Sequence, residues 1–254
     1  MAAAGLLYVQ SAICNEPAAP VPLILPGTPG KIPDMVVLDD IIVPPPAPGR
    51  TLDFRAIFGG DRPIEMEIGS GKGGFLLNRG RALPQRGFFG VEYANKYYRY
   101  AADRMVRWGV ANVRLMRADA GHLVIHHLPP ACLAILHIYH PDPWPKRRHH
   151  KRRLFQPAFV AAAADALAPG GRLAIQTDHA EYFDQIREVL GREKRLTPVP
   201  FDIPEAGVVD GRVDTNFEIK YRREGRTIYR LALARTGGRL LSATGTRKTG
   251  RGRF

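Results

Sequence analysis

Apolar positions along residues 51–235 follow two alternating periods. Ile64–Ile68, Phe88–Glu92, Val113–Arg117, the longer apolar Cys132–Tyr139 and Arg172–Gln176 are short segments bounded by glycine, proline or polar clusters, and they predict strands. Between them, Gly74–Leu83, Ala94–Trp108 and the Ala-rich Pro157–Leu167 predict helices, the last stopped by Pro169-Gly170-Gly171. Tyr182, Phe183, Ile186, Val189 and Leu190 fall at helical spacing, and Thr227–Ala234 alternates like a final strand. Repeated strand–helix alternation predicts an α/β fold, a mostly parallel sheet with helices on both faces. Ligands in such folds bind beyond the carboxyl ends of the strands. The loops that follow the strands are therefore the ones to read for chemistry.

The first fifty residues break this pattern. They hold ten of the chain's 22 prolines, including Pro44-Pro45-Pro46. Each proline fixes φ and removes a backbone donor, which denies the stretch a helix or a central strand. Residues 1–50 are thus expected to form an extended, partly disordered extension. Its apolar patches, Leu23-Ile24-Leu25 and Met35-Val36-Val37-Leu38, can still lie on the domain surface. The expected organisation is this extension, a domain over 51–235 and a basic tail over 236–254.

Charge sharpens the picture. The 254 residues carry 37 Lys and Arg against 24 Asp and Glu, a net charge of +13, which calls for an anionic partner such as nucleic acid. The first fifty residues are net −2, so the whole excess lies beyond them. No apolar run is long enough to span a membrane. The start lacks the character of a secretory signal or a transit peptide. Two cysteines, Cys14 and Cys132, exclude a disulfide framework or a Cys-rich zinc site. A cytoplasmic protein with no membrane association is expected.

The loop after the first strand reads Glu67-Ile68-Gly69-Ser70-Gly71-Lys72-Gly73-Gly74. Taken alone it fits the G-x-G-x-x-G of dinucleotide sites, and Glu92 at the end of the second strand suits a ribose hydroxyl. A nicotinamide-dependent dehydrogenase is therefore a rival reading. Glu65 and Glu67 weigh against it, because a dinucleotide site normally has apolar residues there. Carboxylates beside a glycine loop suit a ligand with cationic groups, such as S-adenosylmethionine with its α-amino group and sulfonium. Asp119, after the third strand, is placed to accept from an adenine amino group. The ordered set Glu67, Glu92, Asp119 reads as a pocket for a nucleoside carrying an amino acid.

The fourth strand ends in Tyr139-His140-Pro141-Asp142-Pro143-Trp144-Pro145, followed by Lys146, Arg147, Arg148, His149, His150, Lys151, Arg152 and Arg153. Three prolines stiffen the loop around Asp142. Asp142 can address a base edge, Trp144 can wall it, and the cations can neutralise phosphates. Burial of Trp144 in the core and a merely solvated cationic run are the plainer alternatives. His149 and His150 have poor ligand spacing, so no metal is expected. Near the C-terminus, residues 214–226 interleave polar, aromatic and basic side chains, which fits RNA contact, with a charged surface loop before the last strand as the plainer alternative.

These blocks, in this order, resemble the bacterial tRNA (guanine-N7-)-methyltransferases over roughly residues 51–235. The match lies in Glu67–Gly73, in Pro141–Lys146 with His149–Arg153, in Gln176-Thr177-Asp178, and in Thr215–Glu218 with Lys220–Arg223. The resemblance implies a Rossmann-like class I methyltransferase with a seven-stranded sheet. It also implies S-adenosylmethionine as methyl donor and N7 of a guanosine in the tRNA variable loop as acceptor. By position, Glu67, Gly69, Gly71, Glu92 and Asp119 are the cofactor-binding residues and Asp142 the catalytic aspartate. Asp142, Lys146, Asp178, Thr215, Asn216, Phe217 and Glu218 are substrate-binding positions. Arg147, Arg148, Lys151, Arg152 and Arg153 are the expected tRNA phosphate contacts. No obligatory protein partner is expected. A methyltransferase for another RNA or for protein, and a non-catalytic RNA-binding protein that keeps the fold, are the alternatives.

Overall fold

The computed structural model describes residues 36–201, 220, 221 and 223–237. Its centre is a sheet of seven strands: β1 (Ile64–Ile68), β2 (Gly87–Glu92), β3 (Val113–Arg117), β4 (Leu133–Tyr139), β5 (Leu167–Thr177), β6 (Leu196–Val199) and β7 (Tyr229–Arg235). They lie in the order β3-β2-β1-β4-β5-β7-β6. The first five run parallel, and β7 pairs antiparallel with both β5 and β6. The order reverses between β1 and β4, whose carboxyl ends diverge into the glycine loop and the proline–tryptophan loop. That junction is where a parallel sheet opens a crevice for a ligand.

Helices cover both faces. α3 (Gly74–Ala82) and α4 (Asn95–Arg107) pack with Phe88, Leu115 and Ile135 on one side. α5 (Ala120–His127), α6 (Pro157–Ala166) and α7 (Ala180–Gly191) pack with Met66, Phe89, Leu136 and Ile175 on the other. β1 is buried along its whole length, so successive residues serve opposite cores: Met66 joins one, while Glu65 and Glu67 turn toward the other. Asp53, Asp119 and His179 cap α2 (Phe54–Phe58), α5 and α7 by accepting backbone N–H groups.

The structure corrects the sequence reading in three places. Residues 36–43 are not part of an extended appendage. Leu38–Ile41 forms a short helix, α1, and Ile41 is fully buried. Ile42 forms a parallel bridge with Leu115, and the Val43 N–H donates to the Leu115 carbonyl at 2.9 Å. This stretch covers the outer edge of β3, as sheet edges require. The reason is local: residues 34–43 lie between Pro33 and Pro44 and contain no proline. Secondly, β5 begins at Leu167, where the glycine-proline stop predicted only a turn. The pairing with β4 shifts between Leu133 and Ile135 and absorbs Ala168–Gly171 as a bulge. Thirdly, α5 and the edge strand β6 were not anticipated; Pro198 is tolerated in β6 because it lies at the edge.

Glu65 also has a different role from the one its position suggested. Its carboxylate is fully buried and bound by Arg79 Nη2 at 2.6 and 2.7 Å, Arg86 Nη1 at 2.7 Å and His137 Nε2 at 2.9 Å. Burial pulls this carboxyl upward, but the His137 hydrogen bond and the Arg79 charge outweigh it and hold the group at about 2. Glu65 fastens β1 to β4 and α3 from inside, and it does not face a ligand.

Candidate active site

At the end of β1 the chain turns through Gly69, Gly71 and Gly73, at φ of 75°, 52° and 69°. Only glycine enters this region without strain. At Gly73 a side chain would also meet Met105 Cε at 2.9 Å and Ala101 Cβ at 3.0 Å on α4. Gly69 and Ser70 donate to the Val91 carbonyl, which folds the loop over the end of β2. Glu92 then locks it: one carboxylate oxygen accepts from Gly71 N and the other from Ala94 N, both at 2.8 Å.

Inside the loop, two buried polar atoms have no hydrogen-bond partner among the described residues: Glu67 Oε2 and Ser70 Oγ. Burial, reinforced by the charge of Glu92, raises the Glu67 carboxyl well above the usual carboxylate range. A buried acceptor left unsatisfied is costly, so native proteins rarely keep one without a ligand to fill it. A ligand with a cationic group and hydroxyls meets these needs, and an apolar ligand does not. The donor set thus fits S-adenosylmethionine. Asp119 stands one strand further along, where its Oδ1 caps α5 through His122 N at 2.8 Å. It lines a cleft of about 280 Å³ with Tyr93, Ile125, Arg152 and Leu154. A larger open cleft, about 1020 Å³, lies at the opposite end of the strands, around Ile64 and Cys132. It is remote from these carboxylates, and its Arg55 and Asp61 already pair at 3.7 Å.

On the other side of the junction, β4 runs into a strained loop. His140 and Trp144 both have positive φ, 52° and 43°. Such backbone persists only where the surroundings impose it. Here the His140 N–H donates to the Gln176 carbonyl at 2.7 Å. Arg153 Nε donates to the Pro143 carbonyl at 2.7 Å. Asp142 is exposed between these two anchors, and Trp144 is half-buried. The Arg152 guanidinium lies 5.0 Å from the Trp144 ring, and His149 meets that ring edge-on. Trp144 is therefore a wall of the loop, not a core residue.

The basic run forms a 3₁₀ turn over Arg147–Arg152 in which no residue is buried. Lys146, Arg147, Arg148, Lys151 and Arg152 are all exposed. Arg153 is not, which corrects its assignment as a phosphate contact. It is 2% exposed, binds Glu181 at 2.6 and 3.0 Å and Gln185 at 2.9 Å, and stacks on Tyr182. The sequence could not separate it from its five cationic neighbours; the next residues, Leu154-Phe155, are where the chain re-enters the core.

Asp178, at the end of β5, accepts from Arg226 Nη1 at 2.8 Å and pairs with His140 Nδ1 at 3.5 Å. Tyr221 packs on the His140 ring at 5.0 Å, and Arg226 lies over Tyr221 at 4.6 Å. The block that follows Thr215–Glu218 is thereby brought against the Asp142 loop. Thr215, Asn216, Phe217 and Glu218 themselves lie outside the described residues.

Comparison with known proteins decides the family. A family model described as "Putative methyltransferase" matches residues 61–231. A tRNA (guanine-N(7)-)-methyltransferase of Alkalilimnicola ehrlichii is 38% identical over 189 residues, covering 74% of this chain and 78% of that protein. One from Bordetella parapertussis is 41% identical over 186 residues, covering 73% and 72%. The chain belongs to the tRNA (guanine-N7-)-methyltransferase family. Its fold is also that of an antibiotic-resistance methyltransferase, Kmr, with a TM-score of 0.51 at 18% identity over 74% of this chain and 93% of that one. Tyr93 was not singled out by the sequence reading, and Ser70, His140 and Arg226 were read only as members of their loops, with no role of their own. Tyr93 and Ser70 adjoin residues that were singled out. The pairing of His140 and Arg226 with Asp178 carries no local signal, because only the fold brings them together.

Proposed function

We infer that the protein transfers a methyl group from S-adenosylmethionine to N7 of a guanosine in the variable loop of tRNA, in the cytoplasm and without an obligatory protein partner. The observation that carries this reading is the contrast at one crevice. A buried, unsatisfied carboxylate stands beside the glycine loop at the end of β1, and an exposed aspartate stands on the strained loop after the neighbouring β4, which opens directly into a cationic turn. A small cationic donor suits the first side and a polyanionic acceptor the second. Among the described residues, no helix is long and apolar enough to cross a membrane.

When bound, S-adenosylmethionine supplies a methyl group on a sulfonium. Guanine N7 offers a lone pair in the ring plane and carries no proton. Transfer of that methyl group to N7 would leave the positive charge on the base, with the neutral thioether as leaving group. No general base is needed. The protein's contribution is position and field. Glu67 and Glu92 hold the donor, and near-attack alignment can supply several kcal/mol, with upper estimates of about 7–11. Asp142, fixed by the Arg153–Pro143 and His140–Gln176 contacts, orients the guanine and stabilises its developing positive charge. Arg147, Arg148, Lys151 and Arg152 grip phosphates around the mouth, and Lys146 and Asp178 with Thr215–Glu218 address the acceptor nucleoside.

Incubation with unmodified tRNA and methyl-labelled cofactor, followed by mass spectrometry of the nucleosides, tests the reading. Label in 7-methylguanosine is expected. Label in another nucleoside would replace the acceptor, and no transfer would favour a binding protein that keeps the fold.

A further inference from the structure

α4 is amphipathic in an unusual way. Its inner face buries Tyr98, Ala101, Ala102 and Met105. Its outer face carries Tyr97 and Tyr100, and Trp108 follows at the C-cap; these rings are 43%, 42% and 42% exposed. Together with Tyr93 they are four of the seven large hydrophobic side chains exposed among the described residues. Exposed aromatics that cluster on one helix are more than surface noise. Tyr97, Tyr100, Arg104 and Trp108 recur at intervals of three, four and four residues, so they form one stripe of about 16 Å.

Cations border the stripe on both sides. Lys72, from the glycine loop, lies over the Tyr100 ring at 5.7 Å, and Arg81, at the end of α3, lies over Trp108 at 5.1 Å. Lys96, Arg99 and Arg104 add three more, and Asp103, the helix's one acid, is spent on Arg107 at 2.8 Å. The other amphipathic surface helix, α7, has the opposite character: its polar face carries Glu181, Asp184 and Glu188 against Arg187, and none of the exposed large hydrophobics. The aromatic and basic stripe is thus a property of α4 and not of the protein's surface in general.

Rings offer a face to any nucleobase, and uncompensated cations alongside them track a phosphate backbone; this is the composition of single-stranded nucleic acid sites. The stripe is also continuous with the crevice. α4 starts three residues after Glu92, and Lys72 belongs to the loop that encloses Glu67. We propose that the outer face of α4, with Lys72 and Arg81, is a second RNA-contact surface, on which unstacked nucleotides flanking the target guanosine stack against Tyr97, Tyr100 and Trp108. The inference rests on the tRNA reading and adds to it a surface on the cofactor side of the mouth.

The test uses the full-length protein with Tyr97→Ala, Tyr100→Ala and Trp108→Ala combined. KM for tRNA should rise at least about tenfold, while KM for S-adenosylmethionine and kcat at saturating tRNA stay within about twofold. Tyr97→Phe with Tyr100→Phe keeps the rings and should keep the wild-type KM. If the triple variant melts early, Tyr100→Ala alone is read instead, with an expected rise of about threefold or more. Unchanged KM for tRNA in an active variant would overturn the proposal. So would a loss of self-association in sedimentation with unchanged KM, which would assign the face to a second copy of the chain. Absence of tRNA methylation by the wild type would instead remove the reading on which the proposal rests.

Discussion

The ends of β1–β3 and the ends of β4–β5 lie side by side in one sheet yet are built on opposite principles. The first set is acidic and held by backbone: each Glu92 oxygen accepts one N–H group and keeps a further lone pair, and Glu67 is buried with one oxygen unsatisfied. The second is exposed and basic, and side chains hold it: Arg153 anchors Pro143, and Asp178 ties His140 to Arg226. A small cationic ligand needs a preformed, desolvated cage. A large polyanion needs exposed charge around a stiff loop. The difference between the two halves is the difference between their ligands.

The strongest way to break that division is Glu67→Lys. It places a cation where the cage needs an anion, and S-adenosylmethionine affinity should fall by at least about a hundredfold in calorimetry, since a buried like charge costs several kcal/mol. Affinity for tRNA should change little; equal loss of both would merge the halves. Next is Asp142→Asn, for which kcat should fall about a hundredfold with cofactor affinity retained, the range for losing one preorganised electrostatic contact. Wild-type turnover at saturating substrates would remove Asp142 from the chemistry.

Arg153→Ala sharpens the comparison from the structural side. It removes a buried latch, so the protein should lose roughly 2–3 kcal/mol of stability, visible as a lower Tm. The salt dependence of tRNA binding should stay as in the wild type. A flattened dependence with an unchanged Tm would return Arg153 to the phosphate contacts.

The smallest effect concerns pH. The Glu67 carboxyl of the free protein is raised, so part of the population is protonated above the usual carboxylate range. A cationic ligand prefers the ionised form, so its binding lowers that value and releases protons. Affinity should therefore climb as pH rises through the raised value, by at most about tenfold per unit. Calorimetry in buffers of different ionisation enthalpy measures the released protons, and Glu67→Gln should abolish the release.

Much of this was legible in the sequence, and unevenly. β1, β3 and the glycine loop stand where the residue pattern puts them: Ile64, Met66 and Ile68 alternate with Glu65 and Glu67, Val113 and Leu115 alternate with Arg114, and the glycines mark the turn. α1 was missed because prolines on either side masked Val36–Val43. Glu65 and Glu67 look alike in sequence, two residues apart on the same face. Only the arrival of Arg79, Arg86 and His137 makes one structural and leaves the other open to a ligand. Arg152 and Arg153 pose the same problem, since composition cannot tell which of two adjacent cations faces water.

The division of labour is tested most directly by titrating one replacement, Arg147→Ala, Arg148→Ala and Lys151→Ala combined, with both ligands. The logarithmic salt slope of tRNA affinity should shrink by roughly 2–3, from the loss of three phosphate contacts, while S-adenosylmethionine affinity stays at the wild-type value. An unchanged slope, or a cofactor affinity that falls with it, would contradict the account.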